Sequence, residues 1–255
     1  MNALLKSREL SKHYELGKGN RVSVLKEVDF EIEAGEFVSV MGPSGSGKST
    51  LLYNICGMDR MSSGSVIFKG CELSGLSEKR LALLRLEEMG FIFQHIHLLK
   101  NLTIFDNIIL SGYLMRGKER KAVDRRAKEL MELTGIASLA RNSITQASGG
   151  QLQRVGICRA LINEPEILFG DEPTGALDSR SAAEIMELLQ RINDTGTTIM
   201  LVTHDIKVAS RSERILFMLD GQITAEKRLG KSAGKDVESR AREEELTAWL
   251  LEQGL

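Results

Sequence analysis

A glycine-rich segment near residue 45 has the composition of a loop that binds phosphate groups. Residues Gly42 to Ser49 read GPSGSGKS, which satisfies the pattern GxxxxGK[ST] in full between a strand-like and a helix-like segment. Successive backbone N–H groups can surround a triphosphate only where no side chains intrude, and a helix N-terminus adds a positive dipole end. We predict that Lys48 reaches the β- and γ-phosphates and that the Ser49 hydroxyl ligates Mg²⁺. The residues predicted here to bind a nucleoside triphosphate are Gly42, Ser44, Gly45, Ser46, Gly47, Lys48, Ser49 and Thr50.

An apolar segment that ends in two carboxylates lies later in the chain. Residues 167–169 are followed by Gly170, Asp171, Glu172 and Pro173. A buried parallel strand delivers its C-terminal side chains to the ligand-binding edge of a sheet. We predict that Asp171 holds Mg²⁺, directly or through water, and that Glu172 orients or deprotonates an attacking water. Asp-Glu-Pro alone is ordinary loop chemistry, but together with the phosphate loop it favours the functional interpretation.

A second helix start opened by glycines occurs at residues 148–151. Ser148 and Gln151 form an S-x-x-Q capping box around Gly149 and Gly150, and the helix that follows is predicted to bury Leu152, Val155, Cys158 and Leu161. Its N–H groups and hydroxyl form a second surface suited to phosphate. One chain has no obvious use for two such surfaces around one nucleotide. Two chains arranged head to tail can each complete the other's site.

Apolar strands alternate with helices around these motifs. Residues 28–33 alternate apolar and polar side chains and meet Ala34-Gly35, which predicts a half-exposed antiparallel strand and a hairpin turn. Buried strands are predicted over 37–41, 167–169 and 197–202. A helix over 185–192 is predicted to open with a capping box formed by Ser181 and Glu184. The alternation predicts a mostly parallel sheet covered on both faces.

The middle and the end of the chain differ from this pattern. Between about 93 and 162 we predict a largely helical insert, with a C-cap at Gly135 after four apolar residues at helical spacing: Val123, Ala127, Leu130 and Met131. The charged stretch from about Gly230 ends in a weak helical pattern. We predict a helix packed on the core surface there, with the run from Arg240 to Glu245 as a solvated face.

Composition excludes several classes of protein. The 255 residues carry a formal charge of −1, which gives no support to nucleic-acid binding, and we expect no nucleic-acid partner. The N-terminal residues do not resemble a secretory signal, and no apolar run approaches the ~20 residues that a membrane-spanning helix needs. We therefore expect a soluble chain that meets a membrane through a partner.

The cysteines and histidines do not form an evident metal site. Cys56, Cys71 and Cys158 lie far apart and are predicted to be small buried residues in a reducing compartment. His95 and His97 have no third ligand nearby and are predicted to be exposed loop residues.

Taken together, the motifs resemble those of the ABC transporter ATPase family, over nearly the whole chain up to about Ile223. The phosphate loop, the segment 148–151 and the Asp171–Glu172 pair match the family's motifs in order. The resemblance implies that Gln94 contacts Mg²⁺ and senses a transmembrane partner. It implies that His204 is the switch histidine beside the γ-phosphate and that Asp178 belongs to the D-loop. Tyr14 stands where the family places an aromatic that stacks on adenine, although an aromatic at such a position is more often core packing.

The resemblance also implies a fold. We expect an α/β P-loop NTPase (RecA-like) core over about 1–92 and 163–229, with an antiparallel β edge. A helical subdomain is expected over about 93–162, and the charged tail over 230–255.

The implied function is that of an ATPase subunit. The family binds ATP and Mg²⁺ between two copies of the chain and powers a separate transmembrane permease from the cytoplasmic side of the membrane. Residues 171–179 and 76–94 look like the branch of macrolide, antimicrobial-peptide, lipoprotein-release and bacitracin-type exporters. A cell-division ATPase of the same branch, and a non-transport ABC ATPase, remain alternatives. A nucleoside kinase would share the phosphate loop and lack residues 148–151.

Overall fold

A computed structural model describes residues 3–15, 17, 20–232 and 236–254. The chain divides into two compact units: unit 1 comprises Met1–Leu81 and Thr198–Leu255, and unit 2 comprises Ala82–Thr197. The strands are β1 (Leu5–Glu15), β2 (Arg21–Ile32), β3 (Phe37–Met41), β4 (Ser63–Phe68), β5 (Cys71–Glu72), β6 (Met89–Phe93), β7 (Ile167–Asp171), β8 (Thr198–Val202), β9 (Arg214–Leu219) and β10 (Gln222–Arg228). The α-helices are α1 (Lys48–Ile55), α2 (Glu78–Glu88), α3 (Ile104–Leu114), α4 (Arg120–Leu133), α5 (Gly149–Leu161), α6 (Ser179–Asp194), α7 (Ile206–Ala209) and α8 (Asp236–Glu252).

Unit 1 contains two groups of strands. The antiparallel group has the order β2-β1-β4-β5, which is the predicted antiparallel edge. In the other group β3 lies between β8 and β9 and is parallel to both, while β10 is antiparallel to β9. Every residue of β3 and β8 is buried. These continuous apolar runs form strands covered on both faces, as the sequence pattern indicates.

The turn at Ala34-Gly35 does not close the predicted hairpin. β2 is a half-exposed antiparallel strand, as predicted, with Val28, Phe30 and Ile32 buried, but its partner is β1. β3 pairs in parallel with β8 and β9 instead. The turn therefore carries the chain from one group of strands to the other. Hydrophobic alternation identifies a strand without identifying its partner.

Unit 2 contains the parallel pair β6–β7 and the four helices α3, α4, α5 and α6. α4 buries the four residues predicted from their spacing, and Gly135 follows its C-cap in the left-handed conformation, with φ 71°. The predicted subdomain boundaries near 93 and 162 stay a prediction.

The three cysteines differ in exposure. Cys56 and Cys158 are buried, as predicted, whereas Cys71 on β5 is exposed, so the prediction is wrong for this residue. Burial raises the pKa of the Cys158 thiol to about 12. A thiol held in its neutral form is a poor nucleophile, so Cys158 behaves as a small apolar residue.

The C-terminal helix α8 packs against the core of unit 1, to which it belongs, as predicted. Leu246 and Leu250 of α8 join a buried cluster with Met41, Ala209, Ile215 and Phe217. The Trp249 ring stands edge-on to Phe217, with ring centroids 6.1 Å apart. Residues 233–235 and 255 of the predicted tail lie outside the described residues.

The prediction of a solvated face over residues 240–245 fails at Arg242. Its side chain is buried, and the guanidinium donates to four backbone carbonyls, those of Ser210, Ser212, Leu229 and Gly230, at 2.7–3.0 Å. These carbonyls belong to loops, where no strand or helix supplies donors. Burial lowers the pKa of Arg242, which still carries the charge that four acceptors stabilise.

This arrangement predicts that Arg242 anchors α8. Arg242→Met should lower the free energy of unfolding by about 2–4 kcal/mol, because buried carbonyls lose their donors. Arg240→Met, at an exposed position of the same helix, is the matched control and should change it by less than about 0.5 kcal/mol. Urea titration followed by circular dichroism measures both, and equal losses in the two variants would contradict the anchoring role.

Candidate functional site

The phosphate loop connects a fully buried strand to a helix whose first turn lacks a side-chain cap. β3 ends at Met41, and α1 begins at Lys48 after the N-cap residue Gly47, which has φ 102°. The N-cap residue Gly47 has no side chain with which to occupy the N–H groups of this first turn. The helix N-terminus therefore presents N–H groups and a positive dipole end in the way that an anion-binding site requires.

Packing on the protein side makes glycine necessary at both ends of this loop. At Gly42, which has φ 152°, a Cβ atom would collide with the carbonyl oxygen of Met218. At Gly47 a Cβ atom would lie 2.9 Å from the carbonyl oxygen of Val24. The sequence argument placed the reason for these glycines on the ligand side, and the structure adds this second reason.

Lys48 is less accessible than its motif suggests. Only 8% of the residue is exposed, and its ammonium donates to the carbonyl oxygens of Gly42 and Pro43 at 2.9 Å each. The lysine therefore bridges the two ends of the loop. It also places a positive charge beside the loop amides, where phosphate oxygens would bind.

The hydroxyl groups of the loop differ in burial. Ser44 and Ser49 are exposed and Thr50 is half-buried. The Ser46 hydroxyl is buried and has no hydrogen-bond partner among the described residues. A buried polar atom without a partner is costly, and a phosphate oxygen in the loop would supply an acceptor.

His204 and the phosphate loop both follow strands that end at the same edge of this group of strands. β3 and β8 are parallel with Val40 opposite Val202, so both chains emerge at their C-terminal ends side by side. The Thr203 N–H donates to the Val40 carbonyl at 3.1 Å, and the Thr203 hydroxyl accepts from Asp205 N–H at 3.0 Å. His204 between them is exposed.

Tyr14 lies near the end of β1 and is 40% exposed, so it does not belong to the core. Its hydroxyl donates to Asp59 at 2.7 Å, and the Lys12 ammonium lies 4.6 Å from the ring centroid. Sequence reasoning identified neither Lys12 nor Asp59. Tyr14 and Asp59 are 45 residues apart in the sequence, and no local sequence pattern indicates a contact over such a separation.

In unit 2 the structure brings Gln94, Asp171 and Glu172 together. Phe93 pairs with Asp171 in the parallel register of β6 and β7, and the Gln94 N–H donates to the Asp171 carbonyl at 2.9 Å. Gly175 lies against both side chains: a Cβ there would be 3.0 Å from Gln94 Nε2 and 3.2 Å from Glu172 Oε2. Sequence reasoning missed Gly175.

Glu172 has a backbone conformation that non-glycine residues rarely adopt. Its φ is 46°, in the left-handed region. Such a conformation costs of order 1–3 kcal/mol and persists where the surrounding structure imposes it. Here the Gly175 N–H donates to the Glu172 carbonyl at 3.0 Å, and the Glu172 residue is half-buried.

The second glycine-opened helix start forms as predicted. The Ser148 hydroxyl accepts from Gln151 N–H at 3.3 Å, and Gln151 Oε1 accepts from Ser148 N–H at 2.8 Å, so the capping box of α5 is complete. Val155, Cys158 and Leu161 are buried. Leu152 is half-buried, because the first turn of α5 lies nearer to solvent than the rest of the helix.

Asp178, rather than Ser181, caps α6. Its carboxylate accepts from the N–H groups of Arg180 and Ser181 and from the Ser181 hydroxyl, at 2.7–3.1 Å. These hydrogen bonds, led by the one from Ser181 N–H, hold the pKa of Asp178 below its usual value. The predicted Ser181–Glu184 box is wrong because α6 already begins at Ser179, and the Asp178 carboxylate accepts from Ser181 N–H, the donor that the box would give to Glu184. Glu184 instead accepts from Arg154 and Arg180.

Within unit 2, the α6 start lies next to the glycines of α5. A Cβ at Gly149 would be 3.5 Å from the Leu177 side chain, and one at Gly150 would be 3.1 Å from the Ser181 hydroxyl. The predicted site residues therefore form one set in unit 1 and one in unit 2. The first set comprises Tyr14, residues 42–50 and His204, and the second comprises Gln94, residues 148–151, Asp171, Glu172 and Asp178.

Sequence comparison places these motifs in a known family. The family model for ABC transporters matches residues 25–175. The chain is 45% identical over 90% of its length to the macrolide export ATP-binding/permease protein MacB 1/2 of Paracoccus denitrificans, of which it spans 34%. It is 42% identical to the lipoprotein-releasing system ATP-binding protein LolD 1 of Chlorobium chlorochromatii over 91% of its own length and 95% of that protein. The bacitracin export ATP-binding protein BceA of Halalkalibacterium halodurans is 44% identical, over 87% of each chain.

A solved structure shares the fold. The ATP-binding cassette MJ0796, in a dimeric post-hydrolysis state bound to ADP and Pi, superimposes with a TM-score of 0.81 and 38% identity. The match covers 89% of this chain and 100% of that one. These relatives belong to the exporter branch that residues 171–179 and 76–94 indicate, and the P-loop NTPase fold expected from the motifs is confirmed. The chain belongs to the ABC transporter family, as an ATP-binding and ATP-hydrolysing cassette.

Proposed function

We propose that two copies of this chain enclose two ATP molecules and drive a separate transmembrane permease. The observation that carries the proposal is the start of α5, where an intact capping box leaves a glycine-opened helix N-terminus at the surface. The chain thus has two helix starts suited to phosphate, at residues 48 and 149. In the dimer, each ATP is bound by the phosphate loop of one copy and by the Ser148 segment of the other.

Each element of the nucleotide has a complementary group in this scheme. Amides of residues 42–50 and the Lys48 ammonium bind the β- and γ-phosphates, and the Tyr14 ring stacks on adenine. Across the dimer, Ser148 has its oxygen occupied as an acceptor by Gln151 N–H, so its hydroxyl proton is the part suited to a γ-phosphate oxygen. Asp178, beside the Ser148 segment, orders this edge of the interface by capping α6.

The donor set fits Mg²⁺. The Ser49 hydroxyl, the Gln94 amide oxygen and the Asp171 carboxylate are hard oxygen donors of the kind that Mg²⁺ takes together with substrate phosphates. In unit 2 the contact between Gln94 and the Asp171 backbone keeps two of these donors on adjacent strand ends. A bound Mg²⁺ would neutralise charge on the phosphates during transfer.

Hydrolysis is assigned to Glu172 and His204. The strained backbone of Glu172 aims its half-buried carboxylate beside Gln94, where it accepts a proton from the attacking water. His204, exposed at the edge that carries the phosphate loop, holds the γ-phosphate during the in-line attack. Closure and reopening around ATP would move the Gln94 segment, which transmits the motion to the permease.

The transported substrate is proposed from the relatives. MacB, LolD and BceA carry names of macrolide export, lipoprotein release and bacitracin export. Export or removal of a macrolide, an antimicrobial peptide or a lipoprotein-like molecule follows for this chain. No helix among the described residues is long and apolar enough to cross a membrane. We place the chain at the cytoplasmic face of the membrane as a peripheral subunit bound to its permease.

Loss of the Glu172 base should separate binding from hydrolysis. Glu172→Gln keeps the shape of the side chain, so ATP binding should be retained while turnover falls by roughly 10²–10⁴-fold. Steady-state phosphate release measures the rate, and fluorescence titration measures binding. Glu164→Gln is the matched control, because Glu164 shares the left-handed backbone and is exposed. Near-normal turnover in Glu172→Gln would assign the base elsewhere.

Lys48 should both bind phosphate and stabilise the conformation of the loop. Lys48→Ala should weaken ATP binding by roughly 10- to 100-fold through the loss of a charged donor. A side chain exposed on an open loop would leave the stability unchanged, but the observed bonds to Gly42 and Pro43 predict a loss of about 1–2 kcal/mol in the free energy of unfolding. Calorimetric titration and urea unfolding measure the two effects, with exposed Lys207→Ala as control. Unchanged ATP affinity would refute the phosphate role.

The dimer should depend on ATP and on the Ser148 segment. In the Glu172→Gln background, ATP should convert monomers or weak dimers into a tight dimer. Adding Ser148→Arg should abolish that dimer through bulk and positive charge while leaving ATP binding to the monomer nearly unchanged. Thr103→Arg, which removes the equivalent cap of α3, is the control that should still dimerise. Size-exclusion chromatography with light scattering decides, and a dimer that tolerates Ser148→Arg would exclude the proposed interface.

A further inference from the structure

The Tyr14 ring is held by two side chains that lie outside every motif of the site. Lys12 and Tyr14 are two residues apart on β1, and Asp59 follows the C-terminal end of α1. Asp59 uses both of its oxygens: Oδ1 accepts from the Lys12 ammonium and Oδ2 from the Tyr14 hydroxyl, each at 2.7 Å. One carboxylate therefore connects the cation and the phenol.

The cation is itself fixed. Lys12 is 8% exposed, and its ammonium also donates to the Arg60 carbonyl at 2.7 Å. The same ammonium lies 4.6 Å from the Tyr14 ring centroid, within the range of a cation–π contact. The Asp59 carboxylate, the Arg60 carbonyl and the Tyr14 ring therefore fix the position of this ammonium.

The hydrogen bonds of the cluster favour an ionised Asp59 carboxylate and a neutral Tyr14 phenol. Although partial burial opposes ionisation, hydrogen bonds from Lys12 and Tyr14 hold the pKa of Asp59 below its usual value. Partial burial and then the hydrogen bond to Asp59 raise the pKa of Tyr14, so the phenol stays a donor. A hydrogen bond with the side chain of Thr50, a residue of α1, lowers the pKa of Tyr14 against these two effects.

We infer that Lys12 and Asp59 are positioning residues that pre-order the Tyr14 ring for the nucleotide base. The ring is held at its hydroxyl and covered on one face by the ammonium, which leaves the opposite face for stacking. The phosphate loop lies before α1, and Asp59, which binds the Tyr14 hydroxyl, lies after it. The same helix therefore positions both the ring that would bind the base and the loop that would bind the phosphates. The inference rests on the proposed role of Tyr14 in binding adenine.

The test compares a ligand that has a base with one that lacks it. ADP and inorganic pyrophosphate both carry a diphosphate group and differ in the nucleoside. Calorimetric titration of the full chain gives both dissociation constants. Tyr14→Ala should weaken ADP by roughly 10-fold or more and leave pyrophosphate within about twofold.

Asp59→Ala and Lys12→Met should act through the ring. Each should weaken ADP by roughly 3- to 10-fold, the size expected when one side chain loses its pre-ordering, and spare pyrophosphate. In the Tyr14→Ala background neither change should weaken ADP further. Tyr14→Phe, which keeps the ring and removes the contacts of its hydroxyl with Asp59 and Thr50, should weaken ADP to a similar extent without loss of folding. Lys6→Met is the control, because Lys6 lies on β1 like Tyr14 but forms its ion pair with Glu31 of β2.

The possible failures are distinguishable. Equal weakening of ADP and pyrophosphate in Asp59→Ala would show a general defect of α1 and overturn the inference. So would an Asp59→Ala effect that persists in full in the Tyr14→Ala background. Unchanged ADP affinity in Tyr14→Ala would remove the stacking role while leaving the ATPase assignment in place. A wild-type chain that bound neither ligand would overturn the proposed function itself.

Discussion

The phosphate-loop backbone lies so close to the carbonyl oxygens of Val24 and Met218 that no side chain fits at Gly42 or Gly47. This contact requires that β2 and β9, which carry those carbonyls, stay in place. β1 holds β2, while β3, β10 and the cluster beneath α8 hold β9. The geometry of the loop is therefore a property of the whole of unit 1. It leaves the α1 N-terminus without a side-chain cap, which is the condition for binding an anion.

Unit 2 positions its residues differently, through strand register and helix caps. The pairing of Phe93 with Asp171 places Gln94 beside the end of β7, and the left-handed turn at Glu172 sends its carboxylate to the same place. A Cβ at Gly175 would lie 3.0 Å from Gln94 Nε2 and 3.2 Å from Glu172 Oε2, so these side chains would have to shift by a few tenths of an ångström to admit it. A substitution there would displace Gln94 or Glu172, so a residue without chemistry of its own controls two that have it.

Short patterns predicted well whatever depends on neighbours within one turn or one strand. The loop of residues 42–49, the capping box at Ser148 and the core face of α4 are of this kind. Several of the errors and omissions have a shared cause, since they required a partner distant in sequence or a choice between competing local partners. Asp178 rather than Glu184 accepts from Ser181 N–H. Arg242 donates to loop carbonyls up to 32 residues away, and the Tyr14 hydroxyl donates to Asp59, 45 residues along the chain. Side-chain type indicates what a group can do, while tertiary packing selects which group does it.

The unequal burial of the three cysteines has a practical consequence. Cys56 and Cys158 are buried, and the raised pKa of Cys158 keeps that thiol protonated, so Cys71 is the accessible thiol among the three cysteines. A maleimide dye should therefore attach at one position without any engineered cysteine. Because Cys71 lies on the short strand β5, outside both sets of site residues, the label would not occupy a nucleotide contact. Energy transfer between donor- and acceptor-labelled copies could then follow association of the native sequence in real time.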